Sequence, residues 1–399
     1  MAAEGFAPLC LTVRPAYTMH SSLSLPRLAS DCYILPMNIR VIHSVLAVVL
    51  VVVAASCASL PEPFDEDAWR RKTDSVDPQT LYLPNKENDR FFNPWLRMPD
   101  HNVFRVLRWK LFTKPENSYT EEESTFLPAV VPDAAKRMSE ASNRDYILWV
   151  GHNTFAVKIG TTLYLTDPMF SDRAVLPKRK TPPAVGAKDI ASLGMDLVVI
   201  LSHNHYDHFD KKSVRDLPDS ARFIVPLGLG EAVRGLGKPH VTEMNWWDEI
   251  ELGPGVRLVC LPAQHWSRRI SQGTNESLWA SYLLITPKKE IYFAMDSGYF
   301  VGYREIGRRF PGIDYAIMPI TAYHPRWFMH YNHMNVPEAL RAFDELGAAY
   351  FIPNQWGTFA LGEEPPGYAY FDLKREIQKQ GRDPNRFLVL DIGGMVFID

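Results

Sequence analysis

The chain is poor in cysteine, with only Cys10, Cys32, Cys57 and Cys260 among its 399 residues. So few thiols exclude a disulfide-rich scaffold. Cys260 stands inside the mainly apolar run Val256–Leu261, where we expect it to be a small buried hydrophobic residue. If the chain is processed and lipidated at Cys57, no disulfide can form within the mature chain, and its stability must then come from the packing of side chains.

The chain also lacks an excess of charge of either sign. Its 43 Lys and Arg residues nearly balance its 46 Asp and Glu residues, for a net charge of −3, and no sustained basic stripe interrupts the balance. Nucleic acid is therefore not an expected partner. A hydrophobic fraction of 46% is enough for a large core, so we expect a folded globular chain.

The apolar run near the amino end is too short to span a bilayer. Val45–Ala55 has 11 residues, against roughly 20 for a spanning helix, but this length suits the apolar stretch of a secretory signal. The segment Ala54–Cys57 resembles the lipobox of bacterial lipoproteins, with Ala54 where Leu is usual. We therefore predict lipidation of Cys57 and anchorage to a membrane of the bacterial cell envelope; a signal anchor or an organelle-targeting segment is the alternative.

Four segments describe the expected organisation. About forty residues precede the apolar run, whereas Met37–Arg40 would make a normal short basic start for a signal. The region after the signal is polar and rich in proline, with a candidate amphipathic helix at Val103–Phe112. The segments are an upstream over-extension at 1–36, a signal peptide at 37–56, a tether and N-terminal arm at 57–143, and the main domain at 144–399.

From residue 144 onward, short apolar runs alternate with Gly, Asn, Asp and Pro. Such runs predict strands, and patterns with helical spacing lie between them. One helix opens with Asn335 as a candidate N-cap and Pro337 in its first turn. The alternation predicts a layered α/β fold with sheets between helices. The predicted strands are Tyr146–Val150, Phe155–Ile159, Thr162–Thr166, Leu197–Ser202, Arg222–Pro226 and Leu258–Pro262, and the predicted helices are Lys211–Leu217, Gly230–Leu236 and Pro337–Leu346.

A cluster of possible metal ligands follows one of these strands. The apolar run Leu197–Leu201 leads directly into a loop that contains His203, His205, Asp207 and His208. Imidazole and carboxylate groups are the ligands that suit zinc, and a strand end is a rigid base from which such groups can converge. Four potential ligands at this density indicate a metal site and not a set of unrelated surface histidines.

The motif His-x-His-x-Asp-His after an apolar strand resembles the signature of the metallo-β-lactamase superfamily. Gln264–Trp266 and Ala294–Tyr299 extend the resemblance, and Trp149–Thr154 and Trp356–Leu361 are similar to the N-acyl-phosphatidylethanolamine phospholipase D branch. The similarity runs from about Phe92 to near the carboxyl end. It implies an α/β fold in the form of a four-layer αββα sandwich.

The resemblance also implies a dinuclear centre with two divalent ions, zinc being expected. It places three histidines on one ion, Asp207 and His208 on the other, and Asp296 between the two. It marks His333 as an active-site residue, and we assign catalytic roles to Asp207 and His333. A bridging carboxylate suits this arrangement, because it screens two cations that would otherwise repel each other. The three histidines are His203, His205 and His265.

One position departs from the family pattern. The family has a last histidine ligand directly before Trp-Gly-Thr, whereas this chain has Gln355 there. A neutral amide oxygen binds zinc less well than imidazole, so the second site is expected to be weak or to favour a metal that prefers oxygen. His324, His330 and His333 are candidates to compensate, and the sequence leaves the choice among them open.

Several residues near the motifs have two interpretations. His152 and Asn153 follow Gly151 at a strand end, where they could contact the ligands or simply form a turn. Asp167 could orient a ligand histidine or fix a turn, and Asp210 is expected to cap the helix that follows it. The basic patches Arg268–Arg269 and Lys178–Arg179–Lys180 could receive a phosphate or belong to the solvated surface.

The resemblance implies hydrolysis of a phosphodiester in a glycerophospholipid like N-acyl-phosphatidylethanolamine, by a hydroxide generated at the metals. The phospholipid substrate and a membrane reached through the lipid anchor are the expected partners. A lactonase or other carboxylic-ester hydrolase is the second hypothesis. The third is a lipid- or partner-binding domain whose metal site is impaired by Gln355.

Overall fold

The computed structural model describes residues 64–99, 109 and 117–398. The predicted over-extension, the signal peptide and the lipidated Cys57 lie outside these residues, as does the candidate helix Val103–Phe112 apart from Trp109. Within the described part of the chain, no helix has the length and apolar content needed to cross a membrane.

The first half of the main domain, together with one strand from the carboxyl end of the chain, forms a seven-stranded sheet. Its strand order is β15-β3-β4-β5-β6-β7-β8, with antiparallel pairing from β15 to β5 and parallel pairing from β5 to β8. All six predicted strands exist, and five of them belong to this sheet. The strands are β3 Tyr146–Gly151, β4 Thr154–Ile159, β5 Thr162–Thr166, β6 Asp196–Ile200, β7 Arg222–Pro226, β8 Val241–Met244 and β15 Met395–Phe397.

The second half contributes a six-stranded sheet in the order β14-β13-β12-β11-β10-β9. Its strands β12, β13 and β14 are parallel, whereas β9, β10 and β11 pair in the antiparallel sense. The strands are β9 Glu249–Gly253, β10 Val256–Leu261, β11 Ser281–Ile285, β12 Glu290–Phe293, β13 Tyr315–Pro319 and β14 Tyr350–Asn354. A separate two-stranded hairpin of β1 Lys86–Glu87 and β2 Arg90–Phe91 precedes both sheets.

The seven-stranded sheet has a hydrophobic cluster on each of its faces, because successive side chains along a strand point to opposite faces. In β3, Ile147 and Trp149 join a cluster that includes Cys260 and the six-stranded sheet, so they lie between the sheets. Their neighbours Tyr146 and Leu148 pack on the opposite face, with residues of the outer helices. The fold is therefore the expected αββα sandwich.

Helices cover the outer faces of the sheets, and their ends match local capping signals. Asn335 caps its helix in a capping box with Glu338, and Asp210 accepts hydrogen bonds from the backbone of Lys212 and Ser213. The three predicted helices are confirmed. The helices are α1 Glu66–Asp74, α2 Glu121–Thr125, α3 Ala134–Glu140, α4 Ala187–Ser192, α5 Lys211–Asp216, α6 Gly230–Arg234, α7 Gly302–Arg309, α8 Arg326–Met329, α9 Val336–Leu346 and α10 Tyr368–Lys379.

Hydrogen bonds and an ion pair join the arm that precedes the sheets to the main domain. The indole of Trp69 in α1 donates to Glu338 at 3.0 Å, and Glu66 pairs with the buried Arg326 at 2.6 Å. Farther along, the amide of Asn93 donates to the carbonyl of His265 at 3.1 Å. The arm therefore reaches the loop that carries one of the expected metal ligands.

Candidate metal centre

The expected site residues all lie at one edge of each sheet. Strands β3, β5 and β6 run in the same direction, and so do β10, β12, β13 and β14. Ligand-bearing loops leave the carboxyl ends of these strands, which is why residues distant in sequence meet in space. The loops carry His152 after β3, Asp167 after β5, His203 to His208 after β6, His265 after β10, Asp296 after β12, His333 after β13 and Gln355 after β14.

One group of side chains, which we call the first ligand group, contains His203, His205, His265 and Asp296. Nδ1 of His205 lies 2.8 Å from Nε2 of His203 and 3.2 Å from Nε2 of His265. Asp296 Oδ2 lies 3.6 Å from Nε2 of His265. Four ligands around a tetrahedral zinc ion are separated by roughly 3.3–3.5 Å, since each bond is about 2.0–2.1 Å. The spacing of this group therefore fits such an ion.

The electrostatics of the first ligand group also fit a cation. Burial, aided by repulsion from neighbouring imidazoles, lowers the pKa of His203 and of His265 well below the usual histidine value, and burial lowers the pKa of His205 to about 4. The three imidazoles are therefore neutral at physiological pH, which is the form that binds metals. The Nε2 atom of His205 is buried and has no hydrogen-bond partner among the described residues, and the converging nitrogens of the three rings could bind a cation together.

The second ligand group contains His152, Asp207 and His208. Asp207 Oδ2 lies 3.0 Å from His152 Nε2 and 3.3 Å from His208 Nε2. Asp296 connects the groups, because its Oδ1 lies 3.1 Å from His208 Nε2. Burial disfavours the charged form of His208, but Asp296 and Asp207 outweigh it and raise its pKa well above the usual value. In the second ligand group, the carboxylates of Asp207 and Asp296 therefore balance the charge of a protonated His208.

Asp167 is connected to the histidine loop by hydrogen bonds to Ser202 and His208. Its Oδ2 lies 2.7 Å from Nδ1 of His208 and accepts from the hydroxyl of Ser202 at 2.6 Å. Its Oδ1 accepts from the backbone amide of Ser202 at 2.7 Å. The geometry therefore supports the prediction that Asp167 orients a ligand histidine. A carboxylate in this position fixes the orientation of the imidazole ring and its tautomer.

Gln355 lies where the departure from the family pattern predicts, beside the second ligand group. Its side-chain amide donates to Asp296 Oδ1 and lies 3.5 Å from His208 Nε2. Its carbonyl oxygen is buried and has no hydrogen-bond partner among the described residues. Gln355 therefore acts as a donor to the shared carboxylate in this arrangement.

The three histidines named as possible substitutes occupy different places. The ring of His333 lies 5.4 Å from that of His265, and burial lowers its pKa. His324 is contacted by Asn117 at 3.2 Å, and His330 packs against Phe64 and Trp69. Neither of these two belongs to a ligand group. Only His333 borders the centre.

Each basic patch contains one arginine, Arg179 or Arg269, that fits neither a phosphate site nor a solvated surface. Arg179 and Arg269 are neither solvated nor available to a phosphate, because both are buried. Arg179 donates to the carbonyl of Thr181 at 3.0 Å, and Arg269 donates to the carbonyl of Asn204 at 2.8 Å. They tie loops together, as buried guanidinium groups with several carbonyl acceptors do.

A cavity of about 520 Å³ opens beside the first ligand group. Its wall combines His265 with residues of the arm, among them Arg90, Phe92 and Arg97. The sequence did not associate the arm with the site, since nothing in residues 84–98 carries a ligand motif. Its lining mixes polar side chains, two guanidinium groups among them, with apolar ones, and such a pocket can accept an amphipathic organic ligand.

Comparisons with known proteins agree with this geometry. Residues 162–356 match the family model of the beta-lactamase superfamily domain. N-acyl-phosphatidylethanolamine-hydrolyzing phospholipase D 1 of Caenorhabditis elegans is 29% identical over 77% of this chain and 90% of its own length. An uncharacterized protein of Mycobacterium tuberculosis is 34% identical over 67% of this chain and 72% of its own length.

Solved structures show the same fold at low sequence identity. A possible metal-dependent hydrolase of Veillonella parvula has a TM-score of 0.53 at 16% identity, over 63% of this chain and 98% of its own. Isothiocyanate hydrolase from gut bacteria of Delia radicum has a TM-score of 0.51 at 17% identity, with the same coverage. The chain is a metal-dependent hydrolase that belongs to the metallo-β-lactamase superfamily, and it is similar to N-acyl-phosphatidylethanolamine-hydrolyzing phospholipases D.

Proposed function

We propose that this hydrolase uses water to cleave the phosphodiester of a glycerophospholipid like N-acyl-phosphatidylethanolamine on the head-group side, with release of a phosphatidic acid and the head-group alcohol, which for this substrate is an N-acylethanolamine. The observation that carries the proposal is the pair of ligand groups that share Asp296 beside a cavity lined by Arg90 and Arg97. The names of the relatives from Caenorhabditis elegans and Saccharomyces cerevisiae support the substrate class.

Two divalent ions, for which zinc suits the donors, would lower the pKa of a water molecule and polarise the ester oxygens when bound. The chain's own residues supply the rest. Asp296 holds the two ligand groups together, and Asp167 fixes the ring of His208. His333 is half-buried with a lowered pKa, and its buried Nδ1 has no hydrogen-bond partner among the described residues. It can therefore hold a proton for the substrate beside His265.

The cavity explains how a lipid phosphodiester would be oriented. Arg97 stacks on the ring of Phe92 with 4.1 Å between its guanidinium carbon and the ring centroid, and its only ion-pair partner among the described residues is the exposed Glu87. An exposed pair of this kind contributes little, so the guanidinium can exchange its partner for a phosphate. The half-buried Phe92 offers apolar surface to an acyl chain.

Lipid anchorage through Cys57 remains our proposal for localisation, and it would bring the cavity close to such a substrate. Mass spectrometry of the mature amino terminus tests it. A diacylated amino-terminal cysteine supports the anchor, whereas a mature chain that retains residues upstream of Cys57 contradicts it.

A panel of substrates tests the function. The purified zinc-loaded protein is incubated with N-acyl-phosphatidylethanolamine, phosphatidylcholine and a lactone, and the products are identified by mass spectrometry. We expect phosphatidic acid from the phospholipids and none from the His203→Ala variant, which loses a ligand of the first group. Turnover of the lactone alone would favour the carboxylic-ester hydrolase, and fewer than about one ion per chain would favour the binding domain.

A further inference from the structure

The imidazole of His152 belongs to a ligand group although the His-x-His-x-Asp-His motif does not include it. We propose that His152 is a protein ligand of the second metal ion and takes the role that the family gives to a histidine at position 355. The inference rests on the proposed two-metal hydrolase, and it concerns only how this chain completes its second site.

The distances place His152 among the ligands. Its Nε2 lies 3.0 Å from Asp207 Oδ2, which in turn lies 3.3 Å from His208 Nε2. All three candidate ligand atoms lie within 4.8 Å of one another. These separations are close to the roughly 3.3–3.5 Å between ligands of a tetrahedral zinc ion. One cation can therefore contact His152, Asp207 and His208 together.

Asp296 completes a set of four ligands without Gln355. Its Oδ1 lies 3.1 Å from His208 Nε2, so it can reach an ion in the second group. Gln355 instead uses its amide nitrogen as a donor to the same oxygen of Asp296. Catalytic zinc sites usually have three protein ligands from nitrogen, oxygen or sulfur and keep one position for water. The amide at 355 is therefore not needed as a ligand, because His152 supplies the missing imidazole.

The backbone holds His152 in an unusual conformation that aims its side chain at the site. Its φ is +54°, and it follows Gly151 with a φ of +128°. Its carbonyl accepts from the indole of Trp149 at 2.8 Å and from the amide of Gln355 at 3.2 Å, and its own amide donates to Thr358 at 3.1 Å. A turn alone would be served better by glycine or asparagine. A fully buried imidazole at such a position points to a functional use.

The competing explanation is that His152 only donates a hydrogen bond to Asp207. The two roles respond differently to glutamine, because the side-chain nitrogen of glutamine can replace Nε2 as a donor but cannot bind zinc. His152→Gln therefore keeps the hydrogen bond and replaces the imidazole ligand with an amide, whose oxygen binds zinc much more weakly. His152→Asn removes both, and asparagine tolerates a positive φ, so this variant is expected to fold.

Metal content tests the proposal without any substrate. The full chain and its variants are loaded with Zn²⁺, passed through a desalting column and analysed for zinc per chain, and the binding of each Zn²⁺ is followed by calorimetry. We expect both His152 variants to lose the second ion or to bind it at least about 100-fold more weakly. The exposed His240 provides the control, since His240→Gln should leave both ions in place.

A rescue variant sharpens the test. Gln355→His added to His152→Asn should restore the second ion, because it returns an imidazole to the place that the family pattern uses. A second ion that binds to His152→Gln as tightly as to the wild type, within about threefold, would overturn the proposal. That result would leave the phospholipase hypothesis standing, which is tested by products and not by metal content.

A measurement on the wild-type chain covers the case in which the variants do not fold. The chain is labelled with ¹⁵N-histidine and loaded with ¹¹³Cd²⁺, and the imidazoles that show coupling to cadmium are counted by NMR. The expected set is His152, His203, His205, His208 and His265. A spectrum in which His152 shows no coupling while His208 does would contradict the proposal.

Discussion

The two ligand groups differ in how their charges are balanced. The first group has three neutral imidazoles whose nitrogens face one another at 2.8 and 3.2 Å, with Asp296 at its border. In the second group, His208 is surrounded by Asp207, Asp296 and Asp167 at 2.7–3.3 Å. The first group therefore consists mainly of neutral imidazoles, whereas the second pairs the imidazole of His208, whose pKa is raised, with carboxylates.

This difference predicts the order in which the centre binds metal. A cation that enters the first group meets neutral donors and releases no proton from them. A cation that enters the second group must displace the proton that neighbouring carboxylates hold on His208. The first ion should therefore bind more tightly than the second. The following experiments test whether the two ligand groups differ in affinity in this order.

The largest effect is expected from removal of a ligand in the first group. His203→Ala should lose the tighter ion and reduce hydrolysis on the order of 1000-fold, since the nucleophilic water depends on metal. Zinc analysis and steady-state kinetics with phospholipid measure the two losses together. If His203→Ala kept its first ion while His208→Ala lost it, the two groups would have the reverse order of affinity.

Removal of both ions should lower the thermal stability. Ligand that binds only the folded state at 1000 times its Kd contributes about 4 kcal/mol, and each kcal/mol shifts the Tm of a domain of this size by roughly 2–4 °C. Chelation should therefore lower Tm by about 10 °C in calorimetry. Addition of one equivalent of zinc should recover most of this shift, because the first group fills first. Recovery only at two equivalents would contradict the asymmetry.

Asp167→Asn is expected to weaken the second ion by about 10- to 100-fold, as is usual for a residue that orients a ligand histidine. The change removes the carboxylate that fixes Nδ1 of His208. Calorimetric titration with zinc measures the effect, and Asp172→Asn at an exposed position is the matched control. An equal loss at the first ion would show that Asp167 acts on both groups through Ser202.

The sequence predicted the motif loop because its ligands are adjacent in the chain. His203, His205, Asp207 and His208 need only one strand end to bring them together. The second ligand group could not be completed in this way, since His152 reaches Asp207 only after β3 and β6 are placed in the same sheet. A possible signal was the dipeptide Gly-His directly after a predicted strand, which a turn explains equally well.

The strands of the second sheet were mostly not predicted, and the reasons are local. β13 Tyr315–Pro319 is a short, wholly buried apolar run, which periodicity cannot distinguish from a buried helix. β14 Tyr350–Asn354 contains Pro353, which argues against a strand inside a sheet. The structure places β14 at the edge of the six-stranded sheet, where a missing N–H is tolerated. The position of β14 at the sheet edge depends on the order of the strands, which the residues of β14 alone do not predict.

The smallest effect is expected from Gln355→His in the wild-type background. A histidine there adds an imidazole to a group that already has His152, Asp207 and His208, so we expect the second ion to bind less than about tenfold more tightly. Calorimetric titration measures this, and Gln355→Ala separates the gain of a ligand from loss of the hydrogen bond to Asp296. A gain of 100-fold or more would mean that the second group is short of a ligand, and the two groups would then differ by an incomplete coordination shell and not by charge alone.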